Sequence, residues 1–328
     1  MPEAACRLWF VLSGGELYLF ARDLVTSGRA RIIDRGRIAL VAILWVRRVL
    51  VYRILKKTTL TPVTKEYVIE APEVARKAQA GQFIILRISE RGERIPLTIA
   101  DYDREAGTIS IVVQEIGKTT IELGTMNEGD CLASFTGPLG EPTEIENYGT
   151  VVVVGGGLGI APIYPICRAL REAGNKVIGI IGARSGDLLF WEEKMRAVTD
   201  ELLVGTDDGS YARKALVTVP LKEVLEGDKE IACVWAIGPA IMMKFCCLTT
   251  KPFGVKTIVS LNSIMVDGTG MCGACRVSVG GVTKFACVDG PEFDGHEVDW
   301  VLLLNRQQSY VDLEKQAIEA YEKATAAS

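Results

Sequence analysis

The stretch Val151-Val-Val-Val-Gly155-Gly-Gly157-Leu-Gly159-Ile-Ala-Pro162 decides the fold. Four consecutive valines with no polar alternation read as a strand buried on both faces, the signature of a parallel sheet. A glycine turn follows, and Ala161–Ala173 then has helical spacing. Such a strand–turn–helix unit aims its first helical amides, and the positive end of its dipole, at a pyrophosphate. Gly156, Gly157, Gly159 and Pro162 are therefore candidate nucleotide contacts. The turn departs from G-x-G-x-x-G: Ile160 stands at the last glycine position, and no acid follows about 20 residues on. A glycine turn alone also fits a tight βα connection with no ligand. Two later segments favour the nucleotide: Gly205-Thr206-Asp207-Asp208-Gly209-Ser210, and Gly238-Pro239 after the strand predicted at Ile231–Ile237. All three lie at the C-terminal ends of strands, where open α/β sheets bind ligands.

The texture changes on either side. From Val51 to Tyr148 the pattern predicts short strands at Val51–Leu55, Lys65–Ile69, Gln82–Ile88, Thr108–Val113 and Cys131–Phe135, separated by glycine turns. That spacing indicates an antiparallel barrel or sandwich. After the sheet, Val255–Gly295 is rich in glycine and cysteine, and Val298–Lys323 has helical spacing. The expected division is an extension at 1–50, a flavin-binding barrel at 51–148, a nucleotide-binding α/β domain at 149–254, and a cluster domain with a helical tail at 255–328. The extension holds Arg22, Arg29, Arg31, Arg35, Arg37 and Arg47, no lysine and no clear element pattern. If Arg47-Arg48 are encoded AGG-AGG they spell a ribosome-binding sequence before a GTG start at Val51, so residues 1–50 read as non-native. A genuine basic extension is the alternative.

Acidic residues outnumber basic ones by 41 to 37, a net charge of −4, so the footprint of a nucleic-acid binder is missing. One histidine, His296, serves the whole chain, which excludes sites built from two or three imidazoles. Nine cysteines, an odd number and mostly scattered, indicate reduced thiols and one metal site rather than a disulfide framework. No secretory pattern is apparent. The best membrane candidate, Ile38–Val46, falls far short of the roughly 20 residues a span requires. A soluble cytoplasmic protein is expected.

The sharpest chemical signal is Asp267-Gly-Thr-Gly-Met-Cys272-Gly-Ala-Cys275, followed by Cys287: D-x4-C-x2-C-x11-C. Plant-type [2Fe–2S] ferredoxins use C-x4-C-x2-C with a distant fourth cysteine. Here Asp267 holds the first position, and Gly268, Gly270 and Gly273 let the backbone wrap closely around a cluster. Zinc held by three thiolates and a carboxylate, or buried unliganded cysteines, are the alternatives. Asp289 or His296 could replace Asp267 as fourth ligand. In the barrel, Arg94-Ile-Pro96-Leu97-Thr98 places a cation and a hydroxyl on one face, and Pro96 demands an edge or bulge. Gly117-Lys118-Thr119-Thr120 opens a helix able to hold a phosphate, although Val112 rules out a P-loop. Each fits plain turn chemistry when taken alone. Together they suggest a dinucleotide such as FAD.

This assembly resembles the ferredoxin–NADP reductase superfamily across nearly all of residues 51–300. The resemblance is strongest to the small flavin subunits of electron-bifurcating NADH-dependent reduced ferredoxin:NADP oxidoreductases, carried by Arg94–Asp101, Gly117–Thr120 and Met265–Pro291. It implies that NADH docks at Gly156–Pro162 beside Gly238-Pro239 and passes hydride to FAD, whose N5 edge meets Thr98 and whose pyrophosphate meets Arg94 and Thr119-Thr120. Single electrons then reach a [2Fe–2S] cluster on Asp267, Cys272, Cys275 and Cys287. They leave to a larger flavin and iron–sulfur subunit in a heterodimer, with the apolar stretch Trp300–Leu304 and the tail offered for docking. No side chain need act as acid or base. Asp207-Asp208 would disfavour a 2′-phosphate if they face the ribose. Leu97 departs from the flavin-stacking Tyr of many members, and the terminal aromatic residue is missing. Electron-transfer subunits of dihydroorotate dehydrogenase (which carry four cysteines), sulfide dehydrogenases, or a cluster-based redox sensor are the alternatives.

Overall fold

The computed structural model describes residues 9–13, 16–20 and 52–326. The chain falls into two compact units, Met1–Leu50 and Val51–Ser328. In the first, β1 (Trp9–Ser13) pairs antiparallel with β2 (Glu16–Phe20); the reading of residues 1–50 as non-native otherwise falls outside the described residues.

The second unit opens with β3 (Tyr52–Thr61), β4 (Thr64–Glu70), β5 (Phe83–Arg87), β6 (Ile95–Thr98), β7 (Asp101–Asp103), β8 (Thr108–Gln114), β9 (Cys131–Leu132) and β10 (Ser134–Leu139). They form two antiparallel sheets, in the orders β10-β5-β6 and β7-β8-β4-β3-β9. Alternate residues of each sheet, among them Ile54, Tyr67, Ile69, Ile84, Leu86, Ile109 and Ile111, share one core. The single strand expected at Cys131–Phe135 is instead two. β9 pairs with β3 and β10 with β5, so the chain changes sheets at Ala133. The corner shows as a slip of phase: buried Leu132 and Phe135 lie three positions apart, and one odd step in a five-residue run is too short for period-2 patterning to divide. The helix Lys118–Thr125 is tied to the barrel where Tyr67 Oη donates to the Leu123 carbonyl at 2.9 Å.

The strands β11 (Thr150–Gly156), β12 (Lys176–Ala183), β13 (Glu201–Thr206), β14 (Arg213–Lys214), β15 (Cys233–Ile237) and β16 (Lys256–Ser260) build a parallel sheet. The cluster segment contributes a hairpin, β17 (Arg276–Val279) with β18 (Val282–Phe285), and then β19 (Glu292–Asp294). β19 joins the sheet antiparallel beside β16, giving the order β14-β13-β12-β11-β15-β16-β19. Strand order reverses between β11 and β15, which creates the crevice where such sheets bind ligands. The tail forms two helices, Trp300–Gln307 and Val311–Ala326. Asp299 Oδ1 caps the first by accepting from the Leu302 amide at 2.9 Å. Leu303 is buried and Trp300 and Leu304 pack on the core, leaving Val301 and Leu302 exposed. Among the described residues no helix is long and apolar enough to cross a membrane.

Candidate functional site

At the switch point, Gly157–Gly159 forms a single 3₁₀ turn between β11 and the helix Ile160–Glu172, whose first turn contains Pro162. Gly157 has φ +54°, and a Cβ there would meet nothing within 4 Å, so this turn opens outward. Gly159 faces the other way. A Cβ on it would overlap the Ile237 carbonyl oxygen, so the turn lies directly on the end of β15, beside Gly238-Pro239. A Cβ on Gly156 would overlap Met242 Sδ, and one on Gly238 would stand 2.9 Å from that sulfur. The floor of the crevice is therefore bare backbone with Met242 wedged beneath it. Asp207 and Asp208 lie after β13, two strands from β11, or roughly 10 Å at ordinary strand spacing. Both are exposed. Asp208 Oδ1 accepts from the amide and hydroxyl of Ser210, at 2.9 and 2.7 Å, and these bonds hold its carboxyl below the usual range.

In the barrel, β6 is an edge strand with Pro96 opposite Ile85 and Thr98 opposite Phe83, as a proline in a ladder requires. Arg94 is exposed, while Pro96, Leu97 and Thr98 are half-buried. Gly117 is the N-cap of the helix Lys118–Thr125. The structure brings these two motifs together, because Thr119 Oγ1 donates to the Glu93 carboxylate. Thr120 Oγ1 accepts from the amides of Gly117 and Ile116, at 2.9 and 3.1 Å. Both threonine hydroxyls are thus engaged within the protein, and the helix's first amides are the donors a phosphate would find. Lys118 Nζ lies 3.5 Å from the Glu122 carboxylate.

The cluster loop packs on β5, the partner of β6, and on β10 at its other side. Gly268 has φ +82°, and a Cβ there would stand 2.8 Å from Ile85 Cγ1 and 2.9 Å from Leu139 Cδ1. Cys275 and Cys287 are buried, with Sγ atoms 3.1 Å apart, well beyond the roughly 2.05 Å of a disulfide. Burial, with the Cys275 thiol beside it, pushes the Cys287 thiol up to about 12. Cys272 is exposed, and its thiol is held below its usual range by the Ala274 amide and the Asp267 backbone. The Asp267 carboxylate is turned onto Thr269, accepting from its amide at 3.1 Å and from its hydroxyl. These bonds, with the Arg94 charge adding to them, hold it below the usual carboxylate range. Among the described residues no three His, Cys, Asp or Glu side chains close on one ion. The arrangement is a buried thiol pair with two rim residues. That donor set fits a two-iron cluster, which shares four anionic ligands between two metals, better than one tetrahedral zinc.

The other candidate ligands lie elsewhere. Asp289 accepts from the Phe285 amide at 2.6 Å, and His296 Nε2 lies 3.2 Å from the Val255 carbonyl and 3.3 Å from Thr250 Oγ1. Sequence reasoning missed Glu93 as the link between the flavin motifs. It also missed Asp101 and Arg168, joined across 67 positions, and Glu292, which accepts from Thr143 Oγ1 at 2.6 Å across 149 positions. No local pattern announces pairs so far apart.

Residues 262–299 match the iron–sulfur cluster binding domain of dihydroorotate dehydrogenase B. A dihydroorotate dehydrogenase B (NAD(+)) electron transfer subunit homolog of Thermotoga maritima is 50% identical over 275 residues, 84% of this chain and 97% of that protein. An electron transfer subunit of Bacillus velezensis is 33% identical over 242 residues, 70% of this chain and 91% of the relative. Among solved structures, one of an NADH-dependent reduced ferredoxin-NADP oxidoreductase, described for flavin-based electron bifurcation, superposes with TM-score 0.78 at 50% identity. It covers 82% of this chain and 97% of that one. With the barrel, the switch-point crevice and the cysteine loop following in the same order, the chain belongs to the family of dihydroorotate dehydrogenase B electron-transfer subunits and their homologues, on the ferredoxin-reductase fold.

Proposed function

We propose that this chain is the electron-input subunit of a cytoplasmic, electron-bifurcating NADH-dependent ferredoxin:NADP oxidoreductase, working as a heterodimer with a larger flavin and iron–sulfur subunit. FAD, when bound, takes the hydride of NADH and returns its electrons singly, and a [2Fe–2S] cluster relays them. In this reading residues 51–148 hold FAD, 149–254 hold NADH and 255–328 hold the cluster. Arg94 neutralises the flavin pyrophosphate, which also meets the helix-start amides of Lys118, Thr119 and Thr120. Pro96, Leu97 and Thr98 line the isoalloxazine edge. Gly156, Gly157 and Gly159 let the NADH pyrophosphate approach the backbone, and Gly238-Pro239 floor the nicotinamide. Asp267, Cys272, Cys275 and Cys287 hold the cluster.

The observation that carries this reading is the meeting of two motifs. Gly268 of the cysteine loop rests on Ile85, the register partner of Pro96, and the charge of Arg94 is felt at Asp267. A flavin on β6 and a cluster in that loop would be neighbours, as single-electron transfer requires. The test is anaerobic purification with flavin extraction, iron and acid-labile sulfide assays, and NADH titration of flavin absorbance. One FAD and one two-iron cluster per chain, bleached by NADH, are expected. Stoichiometric zinc without sulfide would refute the cluster, and a colourless chain would refute the flavin. The match at residues 262–299 also supports service to a dihydroorotate dehydrogenase. The partner that co-purifies from native cells decides between the two.

A further inference from the structure

The barrel and the nucleotide sheet meet along a seam of small apolar residues. Ala80, Ala100 and Val112 of the barrel pack with Ile160, Ala161 and Ile163 of the sheet. Apolar contact is non-directional and does not by itself fix the angle between two bodies. Beside the seam lies a charged network that can. Arg168, two turns into the helix that follows the Gly157–Gly159 turn, donates from Nη1 to Asp101 Oδ1 at 2.7 Å. Lys194 Nζ lies 3.7 Å from both Asp101 Oδ2 and Glu66 Oε1. The Arg168 guanidinium carbon sits 5.0 Å from the Tyr102 ring centre and 5.4 Å from that of Tyr164. Lys194 Nζ sits 3.7 Å over Trp191 and 4.9 Å from Tyr164. Trp191 holds φ 58°, a strained conformation for so bulky a residue.

Two cations from the sheet side thus meet two carboxylates from the barrel side, between aromatic faces. Side-chain exposures of 15% at Glu66, 21% at Asp101 and 25% at Arg168 remove these groups from the fully solvated class, where ion pairs count for little. The network also has a short mechanical path to both ends of the reaction. Asp101 follows Thr98 by three residues, and the intervening Ile99 and Ala100 are buried, with their amides bonded to the Gln82 and Ser110 carbonyls. Arg168 belongs to the same helix whose N-terminus forms the crevice, one turn beyond Pro165.

We propose that the Glu66–Lys194–Asp101–Arg168 network is a positioning device for hydride transfer, holding the flavin-side strand at one angle over the nucleotide crevice. The inference rests on the reading of Thr98 as the flavin contact and of Gly157–Gly159 as the NADH turn. Arg168 and Asp101 touch neither ligand in that reading. They act on distance, and hydride transfer is steep in distance, with about 1 Å of misplacement worth ~100-fold in rate.

Arg168→Met tests it. At saturating NADH, flavin reduction followed by stopped flow is expected to slow by roughly 10- to 100-fold, with FAD content and the NADH dissociation constant unchanged, and Arg168→Lys should recover most of the rate. A second readout needs no turnover. In the flavin-free chain, amide hydrogen exchange across 99–103 and 160–172 should quicken several-fold in Arg168→Met and return toward the parent in Arg168→Lys. If Arg168→Met fails to fold, Lys194→Met is held to the same split with a smaller loss. A wild-type rate, unchanged exchange, or a rate loss matched by lost FAD or weakened NADH binding would overturn the proposal. A parent chain that binds neither FAD nor NADH would instead overturn the reading beneath it.

Discussion

Gly159 and Gly156 are three positions apart, yet a methyl group should act differently at each. At Gly159 it would strike the Ile237 carbonyl oxygen, which belongs to a buried strand and cannot yield without moving β15. At Gly156 the obstacle is the sulfur of Met242, part of a flexible side chain. Gly159→Ala is therefore expected to destabilise the chain by about 1–3 kcal/mol and weaken NADH binding at least tenfold, whereas Gly156→Ala loses much less on both counts. Thermal melts and NADH titrations check the order, and equal losses would contradict it. Asp267 carries the sharper chemical question. Its carboxylate keeps the charge of a thiolate but is a harder donor, so Asp267→Cys should retain a [2Fe–2S] cluster with shifted midpoint potential and g values. Asp267→Ala should leave the cluster labile, because only Cys272, Cys275 and Cys287 remain. An intact cluster with an unchanged spectrum in Asp267→Ala would mean that the carboxylate merely closes the Thr269 turn in which the structure holds it.

At the scale of elements, β19 is the strand through which the cluster segment grips the sheet, and it carries a half-buried acid into a junction with the barrel's exit loop. Glu292 accepts from Thr143 Oγ1 at 2.6 Å, and burial pushes its carboxyl up to about 7, only partly offset by that bond. The folded chain thus binds this proton more tightly than the unfolded chain, whose Glu titrates near ~4.3. The stability it confers is full below that value and is lost as pH rises toward 7. Glu292→Gln should match the parent near pH 4 and exceed it by about 3 kcal/mol near pH 8 in denaturant titrations; a pH-independent difference would refute the linkage. Much at this scale was legible in the sequence. Val151–Val154 announced β11 because it is buried on both faces, and Pro96 announced an edge because it cannot donate. The sheet change at Ala133 was hidden, since its local mark is one odd step between buried Leu132 and Phe135, too short to divide a five-residue run. Of the site, the cysteine spacing and glycine turns could be read, but the engagement of Asp267 with Thr269 and the Arg168–Asp101 pair depend on folded geometry.

At the scale of the molecule, the barrel keeps one core of its own, but two further cores are shared between the modules read from the sequence. One cluster of buried side chains takes Phe83 and Ile85 from the barrel, Val152, Val154 and Val234 from the sheet, and Cys275, Val277, Ala286 and Cys287 from the cluster segment, with Leu303 of the tail. A second joins Ala80, Ala100 and Val112 of the barrel to Ile160 and Ile166. Loss of any one module would expose apolar surface on the others, at roughly 25 cal/mol per Å². That coupling opposes the stepwise melting ordinary for multidomain chains, whose interfaces are usually more polar and separable. Among the described residues, these clusters begin with Tyr52, which packs on the barrel core. A chain begun at Val51 is therefore expected to fold, to retain FAD as the full chain does, and to unfold in a single transition. Far-ultraviolet ellipticity, tryptophan emission and flavin release should share one midpoint. A barrel that keeps its flavin after the sheet has melted would show that the shared cores do not couple the modules, and loss of flavin on truncation would show that residues 1–50 belong to the fold.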